Sequence, residues 1–225
     1  MDEPGEIRGC FEVADTASWE RREHFEYFYR TIKCKYTLNA EVDVTALLAR
    51  CRARERRFFP SFLYVVMRAV NGNREFRMDF DAEGKPGFWD CVHPSYTVFH
   101  EDDKTFSDVW SVYDEDFEVF YASVVRDMEV YGEVKGVKAK PGRPGNFCPV
   151  SALPWLHFTG FSQDTYSESA MLFPLIRFGA YEEKEGRVKL PVAVFVNHAA
   201  ADGYHVCKLF REMEEFAAAA EEWML

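Results

Sequence analysis

One segment near the C terminus constrains this chain more than any other. The run VKLPVAVFVNH, Val188 to His198, is apolar and strand-like and stops at Asn197-His198. Three alanines follow, and a helix starts just after Asp202-Gly203. That helix puts Val206, Leu209, Phe210, Met213 and Phe216 on one apolar stripe, so helix and strand favour packed α/β layers. Upstream, Val44 to Phe58 reads as a helix, with Asp43 as its cap and Val44, Leu47, Leu48 and Cys51 inward. FPSFLYVVMRAVN continues as a second, more buried helix entered at Pro60. FRMDFDAEGKPGFWD reads as two short strands around a turn at Asp81 to Gly87. SYTVFH and SALPWLHFTGF are strand-like. DEDFEVFYASVVRDMEVYG fits a helix with Phe117, Phe120, Val124 and Val125 inward. The basic, Gly- and Pro-rich EVKGVKAKPGRPGN reads as an exposed loop. The mixed order favours a single sheet over regular Rossmann alternation, and the lack of hexapeptide periodicity argues against a β-helix.

Composition narrows the class. With 225 residues, 48% of them apolar, the chain can bury one full core, so one domain is expected. No apolar run reaches the roughly eighteen residues of a membrane span. The acidic start, MDEPGEIRGCFEV, does not resemble a signal peptide. Cysteines 10, 34, 51, 91, 148 and 207 include no CxxC pair and predict reduced, mostly buried thiols of a cytoplasmic protein. A net charge of −11 excludes a general nucleic-acid binder, though local basic residues leave room for a small anionic cofactor.

Three features can carry chemistry. An imidazole at the strand end, His198, suits a general base near neutral pH, and the turn at Gly203 lets the chain reverse there. The bland alternatives are a core histidine for His198 and a helix N-cap for Asp202. A metal site built from His198, Asp202, His205 and Cys207 is disfavoured, because no CxxC or HExxH spacing supports it. Ser151, in PVSALPW, can donate to an oxyanion but lacks the GxSxG elbow of a nucleophile. RCRARERRFF concentrates positive charge, with Arg50, Arg54 and Arg57 on one helix face. That face is either simply solvated or meets the phosphates of an anionic cofactor.

Taken together these pieces resemble a known family. The H-x-x-x-D-G spacing of His198, Asp202 and Gly203 resembles the signature of the CoA-dependent acyltransferases. WERREHFEYFYR, VDVTALL, EFRMDF, HPSYTVFHEDDKTFSDVW, VSALPWLHFTGF and LPVAVFVNHAAADGYHV are similar, in order, to segments of the chloramphenicol acetyltransferase family. The resemblance runs from about Trp19 to the last helix. It implies an α/β fold with a mixed β-sheet flanked by helices, and a homotrimer whose sheet extends between subunits. Residues 1–225 would form one domain, with 1–12 an N-terminal extension. The activity implied is direct acetyl transfer from acetyl-CoA to a hydroxyl of chloramphenicol, inactivating the antibiotic, with no metal. By resemblance, His198 is the general base, Ser151 stabilises the oxyanion, and Asp202 pairs with Arg21 to fix the turn. Phe28, Cys34, Phe106, Phe161, Gln163, Thr165 and Arg177 fall at acceptor-pocket positions, and Arg57 and Tyr181 at CoA positions. The active site would lie between subunits, His198 and much of the pocket coming from different chains.

The departures bear on the acceptor. Asn197 replaces the first histidine of the usual pair, which is not the base. Arg177 stands where the family has a threonine; it either recognises an acceptor group or points away. SQDTYSESAM, Ser162 to Met171, makes one wall more polar, and Ala180 replaces a lysine. Another hydroxyl or amine acceptor is the first alternative, and a non-catalytic trimer that binds CoA or a ligand the second.

Overall fold

The computed structural model describes residues 9–15, 17–163 and 171–225. The chain opens with β1 (Phe11–Val13), α1 (Arg22–Glu26) and a π-helical turn at Tyr27–Ile32. Next come β2 (Lys35–Asp43), α2 (Thr45–Ala53), α3 (Phe58–Asn71), β3 (Met78–Phe80) and β4 (Pro86–Trp89). The middle holds β5 (His93–His100), β6 (Thr105–Trp110), α4 (Phe117–Tyr131) and β7 (Phe147–Leu153). The chain ends with β8 (Leu175–Gly179), β9 (Glu182–Lys184), β10 (Arg187–Asn197), α5 (Gly203–Ala218) and α6 (Ala220–Trp223). A small sheet takes the order β1-β4-β3. The main sheet runs β2-β10-β8-β7-β5-β6, with β9 paired onto β10. β7 is parallel to both β5 and β8 and the other pairs are antiparallel, so the mixed sheet flanked by helices is observed.

Strand alternation divides the main sheet into two faces. The row Tyr96, Val150, Ile176, Val194 and Leu38 faces the helices and joins the main core. At its centre lies α3, whose Phe62, Leu63, Val65, Val66 and Met67 are fully buried. The other face carries the row Ser151, Arg177, Ala193 and Asn39. No helix of the described residues is long and apolar enough to cross a membrane.

Several sequence expectations need correction. α2 ends at Ala53 rather than Phe58, because Glu55 turns left-handed (φ 54°) and the Arg56 N–H reaches back to the Cys51 carbonyl. That closure satisfies the helix end without the glycine that would announce it. Asp43 still acts at the start of α2, but from one residue outside: its Oδ1 accepts the Thr45 N–H at 3.0 Å, and Val44 is the N-cap. SALPWLHFTGF is a strand only to Leu153, since Pro154 has no N–H to continue the ladder. EVKGVKAKPGRPGN is irregular but clamped: Lys140 pairs with the buried Asp127 at 2.8 Å, and Arg143 pairs with Asp108 at 2.5 Å. All six cysteines are free, yet only Cys51 and Cys148 are buried, whereas Cys10 and Cys207 are exposed. Residues 11 and 12, assigned from the sequence to an extension, are the first two of β1.

Candidate active site

His198 follows the last residue of β10, where Asn197 pairs with Lys35 of β2 and the His198 N–H donates to the Cys34 carbonyl at 3.0 Å. Asn197 is buried and shapes the exit from the strand. Its Oδ1 accepts the Ala199 N–H at 3.0 Å, while its carbonyl accepts from Ala200 and Ala201. The imidazole is therefore aimed by backbone on both sides. Phe28, on the π-helical turn, stacks on it with centroids 3.7 Å apart and planes at 11°. Tyr36 meets it edge-on at 5.2 Å and donates its hydroxyl to the Ala201 carbonyl at 3.2 Å. Burial first, then the Asp202 charge, pushes the Tyr36 phenol up, so it stays a protonated donor.

Asp202 organises the polar side of this corner. Arg21 grips it with two nitrogens, Nη1 on Oδ2 and Nη2 on Oδ1. Burial raises the carboxyl, but hydrogen bonding and charge from Arg21 outweigh that and hold it below the ordinary carboxylate range. Oδ1 also lies 3.2 Å from His198 Nδ1, yet too far off the ring N–H axis for a hydrogen bond. A negative oxygen so close still favours the proton on Nδ1, leaving the Nε2 lone pair free. Asp202 is also the N-cap of α5, and its N–H donates to His205 Nδ1 at 3.1 Å. Gly203 is not needed for steric reasons: its φ is not left-handed, and an added Cβ would meet open space. Among the described residues no metal-binding group of His, Cys, Asp and Glu is assembled.

Ser151 occupies different ground. It lines an open pocket of about 510 Å³ with Thr97, Phe99, Phe106, Phe161 and Arg177. Ser151 pairs with Arg177 across β7 and β8, and Arg177 pairs with Ala193 of β10. The loop after β7 closes one side of the pocket. Its Leu156 carbonyl accepts the Ala180 N–H at 2.9 Å and would lie 2.5 Å from a Cβ at Gly179, so only glycine fits beneath it. Asn39 accepts the Phe161 N–H at 2.9 Å, and His157 bridges the Ala180 carbonyl and Glu41 at 3.0 Å each.

The residues expected at one site thus fall into separate groups within one copy. Phe28, Cys34, Arg21 and Asp202 surround His198, whereas Phe106, Phe161 and Arg177 surround Ser151. Five residues of strand at about 3.3 Å and two inter-strand steps of about 4.8 Å put Ser151 and His198 roughly 19 Å apart. Gln163 is half-buried two residues after Phe161, and Thr165 lies outside the described residues. Arg57 and Tyr181 form a third patch: Arg57 is exposed and 3.5 Å from Glu129, and Tyr181 packs edge-on against Phe58 at 5.3 Å. Sequence reasoning missed Tyr36 and Thr97. Period-two alternation along β2 and SYTVFH carried the only signal for them.

The comparisons with known proteins agree with one another. Over residues 10–214 the chain matches the family described as chloramphenicol acetyltransferase. A chloramphenicol acetyltransferase of Clostridium perfringens is 37% identical over 214 residues, 95% of this chain and 98% of the relative. One of Escherichia coli is 35% identical over 213 residues, 95% of each chain. A solved chloramphenicol acetyltransferase, 24% identical, covers 92% of this chain and 100% of its own with a TM-score of 0.81. The Azotobacter vinelandii dihydrolipoamide acetyltransferase shares the fold at 14% identity, with a TM-score of 0.65 over 90% of this chain and 88% of its own. A match that begins at Cys10, takes in both the Ser151 wall and the His198 corner, and recurs at this identity over nearly whole chains leaves one assignment: this chain belongs to the chloramphenicol acetyltransferase family.

Proposed function

We propose that this protein is an acetyltransferase that moves the acetyl group of acetyl-CoA to a hydroxyl of chloramphenicol. The observation that carries the reading is His198 itself, with a carboxylate beside Nδ1, a ring stacked on its face and no partner for Nε2 among the described residues. In this reading the acceptor oxygen attacks the thioester carbonyl while Nε2 takes its proton. Ser151 donates to the oxyanion of the tetrahedral intermediate, which collapses and expels the CoA thiolate. The thiolate recovers the proton from His198, so no acyl-enzyme forms. A positioned base contributes roughly 10²–10⁴ in rate.

Chemistry of this kind needs His198 and Ser151 within reach of one substrate, and one copy holds them roughly 19 Å apart. The reading is therefore completed by a homotrimer in which the His198 corner of one copy faces the Ser151 wall of the next. The exposed Phe106 and Trp155 of the pocket suit burial in such a contact. Cys34, Phe28 and Gln163 then complete the acceptor site. Arg57 and Tyr181 are assigned to CoA, since an exposed guanidinium held only loosely by Glu129 can exchange that partner for a phosphate. Residues 1–225 act as one domain, and six free thiols fit the reducing cytoplasm.

Thiol release from acetyl-CoA, followed with a thiol-reactive dye, tests the reading. Saturable release that depends on chloramphenicol is expected. Bound acetyl-CoA with no drug-dependent release would defeat it.

A further inference from the structure

Arg177 is the unusual member of the Ser151 pocket. Around it the lining is apolar apart from the neutral hydroxyls of Thr97 and Ser151. The chain carries 38 acidic residues against 27 basic ones, yet among the described residues no carboxylate lies within 4.0 Å of this guanidinium. One nitrogen is held by backbone: Nη1 donates to the Ile176 carbonyl at 2.9 Å and reaches the Pro149 carbonyl at 3.5 Å. Nε and Nη2 have no partner among the described residues, and neither is sealed off from solvent.

Those two nitrogens share one edge of the guanidinium plane, and their N–H bonds point the same way. That edge is the fork that takes a carboxylate by two parallel hydrogen bonds. Pinning Nη1 to the sheet fixes the plane, so little side-chain freedom remains to be lost on binding. The neighbouring Cys148 thiol is no counter-ion, because burial pushes it up to about 12 and it stays neutral. Burial lowers the affinity of Arg177 for its own proton, but arginine keeps its charge at neutral pH. A cation half-removed from water without a partner is costly, and a ligand anion relieves that cost.

We infer that Arg177 is a specificity-determining residue whose free guanidinium edge binds a carboxylate or similar anion on the acceptor, selecting anionic alcohols over their neutral counterparts. The inference rests on the acetyl-transfer reading for its reaction, but not for its binding step. Its position, paired with Ser151 across two adjacent strands, puts the anion on the same wall that meets the reacting carbonyl.

The test uses two acceptor pairs built on the chloramphenicol diol, each a carboxylic acid and its methyl ester. In one pair the carboxyl replaces the nitro group; in the other a succinyl group replaces the dichloroacetyl group. In at least one pair the wild-type protein is expected to prefer acid to ester by about 10–100-fold in kcat/KM, and in Kd by calorimetry without acetyl-CoA. R177M should bring that ratio to about one, and R177K should retain part of it. An acid–ester ratio near one in both wild-type pairs would overturn the inference, as would a preference that survives in R177M. So would a parallel loss of both acceptors with loss of assembly in R177M, because Arg177 would then pair with a carboxylate of a second copy. If chloramphenicol releases no thiol, the acetyl-transfer reading fails, while the Kd ratio still reports on Arg177.

Discussion

The corner after β10 and the wall of β7 and β8 are built on opposite plans. At the corner every group has neighbours that fix it: a stacked ring, a strand-end carbonyl, a carboxylate held by arginine, and a helix cap on that same carboxylate. At the wall Ser151 lines an open apolar pocket beside a cation with a free edge. The first region has its geometry before any ligand arrives. The second is an open surface pocket with a single cation in an apolar lining. The proposed roles fit that contrast: a base must be aimed in advance to be useful, whereas an oxyanion donor needs only a rigid strand to hold it.

Substitutions at His198 and Ser151 are expected to have the largest effects. Purified His198→Ala should fold normally and lose roughly 10²–10⁴ of its turnover. Ser151→Ala should lose about 2.7–4 kcal/mol of transition-state stabilisation, and unimpaired rates in either variant would separate these residues from the chemistry. Refolding the two inactive variants together sharpens the point. If the corner of one copy meets the wall of another in a trimer, an equal mixture regains both groups at about a quarter of all its sites, one site in every mixed trimer. A mixture as inactive as its parents would mean that each site is built from one copy.

Smaller effects separate fixed from waiting geometry. Arg21 and Asp202 keep 18% and 30% of their side chains exposed, so breaking the pair should cost less than a fully buried one. Asp202→Ala is expected to lose about 1.5–3 kcal/mol. In a chain of this length that lowers Tm by roughly 3–12 °C, and an unchanged Tm would show that the pair is ornamental. The folded carboxyl lies below its unfolded value of about 3.9, so its contribution is complete above that pH and disappears as pH falls through the folded value. The Tm gap between wild type and Asp202→Asn should accordingly hold from neutrality to about pH 5 and shrink in stronger acid. Phe28→Leu, which removes the stacked ring, should cost the least, about 0.5–1.5 kcal/mol in kcat with Tm nearly unchanged.

Local pattern made the elements legible. The stripe of α5, the buried run of α3, the turn between β3 and β4 and the strand carrying His198 all follow from spacing and turn residues. Gly84, left-handed at φ 77°, even marks the turn where the sequence places it. What the sequence concealed was non-local or atypical. Glu55 ends α2 in a conformation that glycine would normally announce, and the π-helical turn beneath His198 has no compositional signature. The clamps on the loop after α4 depend on Asp108 of β6 and Asp127 of α4, which only the folded chain brings near Arg143 and Lys140. The Arg21–Asp202 pair was reached through family resemblance, since residues 181 positions apart leave no spacing to read. That Ser151 and His198 sit far apart in one copy follows from strand order alone, and no local pattern encodes it.

β2 pairs with β10 along its whole length, and at one end of the ladder Asp43 meets Lys189, 146 residues later. Pairing over such a separation must close a long loop before it gains any contact, and chains dominated by such pairs fold slowly. On the ribosome, β2 therefore waits through most of synthesis, its edge unpaired, until the penultimate stretch of the chain emerges. His198 is aimed only when that strand zips home. The His198 corner is thus among the last parts to form, and a truncated or stalled product carries the Ser151 wall without His198.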